Sequence, residues 1–255
     1  MNLVADTWFQ IQRHIRTQFR MPVWIFVNLF QPIVWLVLFT QVFKSLSDMP
    51  GLGGTSYLQF FAPGVVVMTV MFGSAWAGMG MLHDIDMGIL SKMLATPATR
   101  GSIIMSRVIA SMVMLIVQAL IIFTIAVIMG VDLATGVPGV LLTILLVSML
   151  GLGFAAFSNG LALLLRREEP LIGVITFATL PIMFLSSTMM PADLLPGWLD
   201  TVRHFNPVDY AVVGVRGLVM DGYIWSDLWR SLVVLFGWAA LGTAFGTMMF
   251  RAKAE

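Results

Sequence analysis

The sequence has 255 residues, of which 59% are hydrophobic and 11% are charged, and its mean hydropathy is +0.94. Soluble domains carry about 25% charged residues, so this chain has too few charges to cover a surface that faces water. The net charge of +1 excludes the strongly basic footprint of a nucleic-acid-binding protein. Cysteine is absent, which excludes disulfides and thiolate metal sites. The composition predicts an integral membrane protein.

The apolar residues are grouped into six stretches that are each long enough to cross a bilayer. A hydrocarbon core about 30 Å thick is spanned by about 20 residues of helix, so we predict an all-α membrane protein with six transmembrane helices. The first stretch is too long for the apolar core of a signal peptide, and no small-residue cleavage site follows it, so we expect it to be retained. The predicted spans are Val23–Phe43, Phe60–Leu82, Ser106–Met129, Val140–Leu165, Leu171–Met190 and Trp229–Phe250.

The basic residues predict the orientation of these spans. An even number of spans places both termini on one side, and cytoplasmic loops carry an excess of Lys and Arg. With both termini in the cytoplasm, ten of the 14 basic residues lie on the cytoplasmic side. We therefore predict a multi-pass protein of the cell membrane with cytoplasmic N and C termini. The basic residues on the outer side are Lys44, Arg203, Arg216 and Arg230.

The segment before the first span has the pattern of an amphipathic helix. In residues 1–20, the side chains of Trp8, Ile11, Ile15 and Phe19 share one helical face, and the arginines lie away from it. This pattern predicts a helix that lies in the cytoplasmic interface of the membrane. Such a helix acts either as an anchor or as a contact for a soluble partner, and the pattern favours neither role.

The outer segment at residues 191–227 is too long for a simple turn. Its apolar stretches are too short to span the membrane and are interrupted by charges, which predicts short re-entrant helices in the outer leaflet. Asn206-Pro207 is expected to divide the segment into two arms, because a residue before proline disfavours helix. Trp198 is placed to anchor the first arm at the level of the lipid headgroups.

No catalytic or ATP-binding motif is visible in the chain. A phosphate loop needs glycine-rich backbone before a Lys-Ser/Thr pair, and the single such pair, Lys44-Ser45, has no glycine loop before it. The three histidines are isolated on different segments, so they form no metal-ligand pattern. The spans contain no firmly intramembrane charge of the kind that ion-coupled carriers use. We predict a non-enzymatic conduit that holds no cofactor of its own and takes its energy from another protein.

The cytoplasmic loop at residues 83–100 is the predicted attachment point for that protein. Met87, Leu90 and Leu94 form a helical apolar stripe, and Pro97 ends it. A short amphipathic helix of this kind either docks in a groove of a soluble protein or rests on the lipid surface. The residues alone do not distinguish these two roles.

The same loop carries the pattern Asp84…Gly88…Leu94-x-x-Pro97-x-x-Arg100. This pattern resembles the inner loop of type-2 ABC exporter permeases, particularly the daunorubicin-exporter (DrrB-like) group, and the match in motifs and spans covers essentially the whole chain. Many relatives have a second acidic residue shortly after the loop glycine, where this chain has Ser91-Lys92, so an acid-mediated contact is not expected there. The other matching stretches are Gln31-Pro32 with Phe39, Tyr57-x-x-Phe60-x-x-Pro63-Gly64, Leu195-Pro196-x-Trp198-Leu199 and Asn206-Pro207-x-x-Tyr210-x-x-x-x-x-Arg216.

The resemblance implies one exporter transmembrane domain over residues 1–255 and a partner ABC ATPase subunit in two copies, which holds ATP and Mg. It implies that the inner loop and the interface helix contact this ATPase. Gly88 is alternatively a glycine that only loosens a helix. The implied coupling residues are Asp84, Gly88, Leu90, Leu94, Pro97 and Arg100 in the loop, with Arg13 and Arg16 in the interface helix.

The resemblance also implies a second permease copy, identical or paralogous, with spans one and five of the two copies facing each other across the substrate path. The polar residues of span one are alternatively contacts between helices of one subunit, worth about 1 kcal/mol each. The implied lining residues are Asn28, Gln31, Trp35, Phe39, Phe177, Met183, Phe184 and Ser187. The implied outer gate comprises Leu195, Trp198, Asn206, Pro207 and Arg216, with an isolated loop lid as the alternative.

Small residues at Gly242-x-x-x-Gly246 and Gly151-x-x-x-Ala155 are predicted to be helix-packing positions.

Taken together, the composition, the predicted spans and the family resemblance predict a permease that exports an amphiphilic drug-like or lipid substrate. Its predicted partners include membrane lipids but no nucleic acid. A lipid-linked polysaccharide is the alternative substrate. The alternative classes are a non-transport scaffold or assembly factor and a secondary carrier.

Overall fold

The computed structural model describes residues 8–9, 11–12, 16, 22–44, 55–89 and 100–253. All regular secondary structure in these residues is helical, and none of them forms a strand. The principal α-helices are α1 (Pro22–Val42), α2 (Tyr57–Ala75), α3 (Ala77–Asp86), α4 (Arg100–Ile128), α5 (Gly136–Leu165), α6 (Glu168–Phe184), α7 (Gly197–Arg203), α8 (Pro207–Arg216) and α9 (Trp225–Lys253). A 3₁₀ turn at Ala192–Leu194 precedes α7, and a π-helical turn at Gly217–Asp221 follows α8.

Four helical stretches of the described residues are long and apolar enough to cross a membrane. By length and composition, they are candidate spans at the predicted second, third, fourth and sixth positions. The apolar described part of α1, Leu29–Val42, is shorter, and α6 has 17 residues. The four stretches are Tyr57–Asp86, Ser106–Ile128, Gly136–Leu165 and Trp225–Ala252.

The helix α2 lies at the centre of the bundle. It packs against α1, α4, α5, α6 and α8, and nearly all of its side chains are buried. Ser56 caps its first turn, since the Ser56 hydroxyl accepts the Gln59 N–H at 3.2 Å. A helix that is apolar on all sides needs such complete coverage by its neighbours or by lipid.

The second span is not continuous, although the sequence predicts one helix there. α2 ends at Ala75, and Trp76 separates it from α3. Ser158 of α5 stabilises this break, because its hydroxyl donates to the Ala75 carbonyl and accepts the Gly78 N–H at 3.0 Å. A Cβ at Gly78 would lie 2.5 Å from the Ser158 carbonyl oxygen, so only glycine allows this approach.

The helices α5 and α9 form the most extensive pairing in the bundle. A Cβ at Gly246 would lie 2.7 Å from the Ala156 carbonyl oxygen, and one at Gly242 would overlap the backbone of Gly153. Because glycine has no side chain, the backbones of α5 and α9 can approach each other closely at these positions. The packing role predicted for Gly242 and Gly246 is therefore confirmed. Gly151 faces a different neighbour, Val70 of α2.

Candidate functional site

The end of α6 is the most heavily bonded irregular segment that the structure describes. The sequence predicts a fifth span to Met190, but the helix stops at Phe184, which leaves its last carbonyls without partners in the helix. We call residues 185–189 the outer turn. Three of its side chains are buried, at Ser186, Ser187 and Thr188. Buried backbone of this kind needs hydrogen-bond partners from elsewhere in the fold.

Asn206 supplies the first of these partners. Its side-chain nitrogen donates to the carbonyls of Ile182 at 2.6 Å and Leu185 at 2.8 Å. Its side-chain oxygen accepts the Val208 N–H at 3.0 Å and so caps α8, which begins at Pro207. The predicted break between the two arms is confirmed, since α7 ends before Asn206 and α8 starts after it. One carboxamide thus ties the start of α8 to the end of α6.

Arg216, the last residue of α8, supplies the second set of hydrogen-bond partners for the outer turn. One terminal nitrogen donates to the carbonyls of Ser187 at 2.9 Å and Thr188 at 3.3 Å, and Nε donates to the Phe60 carbonyl at 3.2 Å. The guanidinium carbon also lies 3.7 Å from the centre of the Phe60 ring. Burial lowers the pKa of Arg216 to about 10, while the nearby Asp209 carboxylate opposes the shift. The side chain therefore stays charged at physiological pH.

Asp209 joins the outer turn to the first arm. Its carboxylate is 4% exposed, and it accepts the Ser187 N–H at 2.7 Å and Nη1 of Arg203 at 3.1 Å. Arg203 also donates from Nε to Asp200 at 2.7 Å. Burial lowers the pKa of Arg203, but its hydrogen bonds with Asp200 and Asp209 outweigh that effect and raise it. The three charges form a linked chain from α7 to the outer turn.

The first residues of α2 complete the enclosure of the outer turn. The Tyr57 hydroxyl donates to the Met189 carbonyl at 3.1 Å. A Cβ at Gly64 would lie 2.8 Å from the Thr188 carbonyl oxygen, so the turn packs directly on the α2 backbone. Tyr57 and Gly64 belong to one motif of the sequence, and Asn206 belongs to another. Residues of both motifs therefore contact the backbone of the same segment, the five-residue outer turn.

The other predicted gate residues lie at the edge of this region. Leu195 is partly buried, and Trp198 on α7 is 65% exposed. Phe205 and Trp225 are also strongly exposed at this end of the bundle. Exposed aromatic rings of this kind are typical of the level of the lipid headgroups.

The residues predicted to line a path fall into two groups. On α1, Gln31 is exposed and Trp35 is partly buried, while Phe39 stacks on Phe61 of α2 with ring centres 5.6 Å apart. On α6, Phe177 is 82% exposed and Phe184 is 57% exposed. Met183 and Ser187 are buried within the subunit. The side chain of Asn28 lies outside the described residues.

The described part of the predicted coupling region is held by an ion pair. Asp84 of α3 binds Arg107 of α4, and both side chains are largely buried. Gly88 has φ +64 and no neighbouring atom close to where a Cβ would stand, which is the conformation that favours glycine at a helix C terminus. Arg16 is helical and exposed, and Arg100 is the first residue of α4. Arg13, Leu90, Leu94 and Pro97 lie outside the described residues.

The side chains described above form hydrogen bonds and ion pairs that join helix ends to one another. No group of three His, Cys, Asp or Glu side chains within the described ranges could hold a metal ion. Sequence reasoning identified Asn206 and Arg216 but assigned no role to Tyr57, Phe60, Gly64 or Asp209. The sequence signal that could have identified these residues was their position in spaced motifs next to the predicted ends of spans. Their common target, the outer turn, is visible only in three dimensions.

Comparison with known proteins agrees with this architecture. The family model described as "ABC-2 type transporter" matches residues 6–220. The chain is 31% identical to the "putative transport permease ycf38" of Cyanophora paradoxa over 78% of this chain and 69% of that protein. It is 25% identical to the "probable doxorubicin resistance ABC transporter permease protein DrrC" of Mycobacterium tuberculosis, over 90% of this chain and 82% of that protein.

A third relative is similar to this protein over almost the full chain. The "daunorubicin resistance ABC transporter permease protein DrrB1" of Streptomyces coeruleorubidus is 21% identical over 98% of this chain and 87% of its own length. The resemblance inferred from the motifs is thereby confirmed. With multiple apolar spans and a family match over most of its length, this chain belongs to the ABC-2 type transporter family.

Proposed function

We propose that this chain is the membrane-spanning permease subunit of an ATP-binding-cassette exporter that moves an amphiphilic drug-like or lipid substrate outward. The observation that carries the proposal is the family match over residues 6–220. Relatives named for doxorubicin and daunorubicin resistance support an amphiphilic cargo. ATP would be bound and hydrolysed, with Mg, by a separate ABC ATPase subunit present in two copies.

The proposed topology has six spans and both termini in the cytoplasm. The outer turn and the Tyr57 end of α2 would then face outward, and the Asp84–Arg107 pair would face inward. The four clear spans and the excess of basic residues on one side support this orientation. The N-terminal helix would lie in the inner interface, a placement supported by buried Ile11 and exposed Arg16.

A second permease copy would cover the exposed aromatic rings of α1 and α6. Phe26 and Phe30 are 67% and 57% exposed on α1, and Phe177 is 82% exposed on α6. Large apolar residues that a single subunit leaves uncovered are suited to contact with another subunit or with lipid. In the proposed assembly, the substrate path would run between these faces.

The ATPase would act on α3 and α4 through the loop that joins them. The Asp84–Arg107 pair would make the two helix ends move together, because separating a largely buried ion pair leaves an uncompensated charge. The break at Trp76 would let α3 tilt while α2 stays packed in the centre. At the outer end, the bonds of Arg216, Asn206 and Asp209 would hold the gate shut.

Transport by purified protein tests the proposal. The permease and a candidate ABC ATPase would be reconstituted in inside-out vesicles with a fluorescent anthracycline as the substrate. We expect uptake that needs ATP and Mg and that an ATPase variant lacking its phosphate-loop lysine abolishes. Uptake driven by a proton or sodium gradient without ATP would indicate a secondary carrier. Normal ATPase assembly with no transport of any amphiphile would support a scaffold.

A further inference from the structure

A small cavity lies inside one subunit, between α1, α2 and α4. Its volume is ≈ 130 Å³, which is room for about four water molecules at about 30 Å³ each. This is far below the roughly 300–1,000 Å³ of a pocket that encloses a whole drug. The cavity can therefore take only the head of a larger ligand. Its lining residues are Gln31, Pro32, Trp35, Val65, Met68, Thr69, Phe72, Gly73, Trp76 and Gln118.

The cavity contains a buried acceptor without a hydrogen bond. Gln118 is 5% exposed, and its Oε1 has no partner among the described residues. Gly73 lies beside this carboxamide, since a Cβ there would be 3.4 Å from the Gln118 oxygen and 2.4 Å from a Leu115 methyl carbon. A buried carbonyl oxygen without a donor destabilises a fold. Because Gln118 lines the cavity, this oxygen is placed to accept a hydrogen bond from a bound molecule.

The remaining lining defines the chemistry of that molecule. None of the described lining residues is ionisable, so nothing there would compensate a bare carboxylate or phosphate. Trp35, Phe72 and Trp76 supply aromatic faces, which accept the edge of an apolar ring or a cation. Among the described lining residues, the buried polar atom without a partner is the Gln118 oxygen, which favours a ligand group that donates a hydrogen bond.

The cavity also has a way in from the lipid. Gln31 is the tenth residue of the 21-residue α1, so it lies about 14 Å along that helix from its start, near the middle of the span that the sequence predicts there. Gln31 and Trp76 are both exposed, which opens the cavity along the groove between α1 and α2. A head bound against Gln118 would leave its tail in the hydrocarbon.

We propose that this cavity is a binding subsite for the hydrogen-bond-donating head, a hydroxyl or an ammonium, of a membrane-dissolved amphiphile. Gln118 accepts from that head, the aromatic rings enclose it, and the tail extends past Gln31. The role of this subsite in selecting cargo rests on the proposed exporter function. The binding itself needs only the permease.

Photolabelling of the full-length chain in lipid nanodiscs tests this subsite. The probes are a long-chain alcohol, the matching amine and the matching methyl ether, each with a diazirine next to the head. We expect the alcohol, the amine or both to label the residue range 65–76 or the neighbourhood of Gln118, and the ether to label neither. Labelling by one donor alone would identify the head as a hydroxyl or an ammonium.

Two variants separate a hydrogen bond from general lipid contact. Gln118→Leu keeps the size of the side chain and removes the acceptor, and it is expected to reduce labelling about fivefold, the worth of one hydrogen bond. Gln41→Leu is the matched control, because it makes the same change at an exposed residue of α1 that does not line the cavity. It is expected to label like the parent protein.

The thermal midpoint of unfolding shows whether a loss of labelling is a loss of folding. Gln118→Leu removes an unpaired buried oxygen, so its midpoint should equal or exceed that of the parent. A lower midpoint would show that the oxygen has a partner in the fold and would overturn the proposal. Equal labelling by the ether, or labelling that does not depend on Gln118, would also overturn it. If labelling depends on Gln118 but vesicle transport fails, the subsite stands and the exporter function falls.

Discussion

Replacing Arg216 with lysine tests whether the outer turn depends on the shape of a guanidinium or only on its charge. In the parent protein, Nε reaches the Phe60 carbonyl while a terminal nitrogen reaches Ser187 and Thr188. Lysine keeps the positive charge but has one nitrogen, which cannot occupy both positions. The variant therefore loses at least one of these hydrogen bonds.

The expected cost follows from the lost contacts. One hydrogen bond from a charged donor is worth about 1.5–3 kcal/mol, and the stacking of the guanidinium on Phe60 adds about 0.5–1 kcal/mol. The total is about 2–4 kcal/mol. With a shift of about 2–4 °C per kcal/mol for a chain of this size, the thermal midpoint should fall by roughly 4–16 °C.

The assay is thermal unfolding of the purified permease in nanodiscs, with Arg230→Lys as the matched control. Arg230 is exposed near the start of α9, so its replacement should leave the midpoint unchanged. Co-purification of the ATPase should be normal for both variants, because Arg216 lies at the opposite end of the bundle from Asp84. A midpoint for Arg216→Lys within about 1 °C of the parent would refute the reasoning.

Three further predictions concern the other sites. Asp84→Asn removes the charge that pairs with buried Arg107, and it should reduce both ATP-driven export and co-purification of the ATPase. The control Asp86→Asn, at an exposed position, should change neither. Equal behaviour of the two variants would contradict the coupling role. In this cysteine-free chain, Phe177→Cys should give dimers with a bifunctional thiol reagent, and a lack of dimers with both short and long linkers would contradict the proposed assembly. Trp198→Ala should alter export while ATPase binding stays normal, and an equal effect of Trp225→Ala would indicate a general loss of lipid anchoring.

The sequence predicted the spans better than it predicted their ends. A stretch of apolar residues indicates that a helix can cross the membrane, and at four of the predicted positions the structure has helices long and apolar enough to do so. The fifth was extended to Met190 because the residues after Phe184 are apolar or uncharged. Their carbonyls are instead bound by Arg216, Asn206 and Tyr57, which are distant in the chain. A hydropathy pattern carries no information about such tertiary contacts.

The same limit applies to the candidate sites. The break at Trp76 depends on Ser158, 83 positions after Ala75. Asp84 was identified from a motif, but its partner Arg107 was counted only as a cytoplasmic charge. The break at Asn206-Pro207 was predictable because capping and proline act through neighbouring residues. Local chemistry could therefore be read from the sequence, and pairing between helices could not.

The contact between Arg216 and Phe60 has a consequence for how the protein is made. These residues are separated by 156 positions, and the ribosome adds roughly 5–20 residues per second. The second span therefore enters the membrane many seconds before the arginine that will bind its outer end exists. Throughout that interval the outer end of α2 lacks its guanidinium contact, and the Ser187 and Thr188 carbonyls, once made, depend on water and lipid headgroups. A chain truncated before Arg216 would keep the three long apolar stretches that precede it, would lack α9, and would remain in this open state, exposed to membrane quality-control proteases.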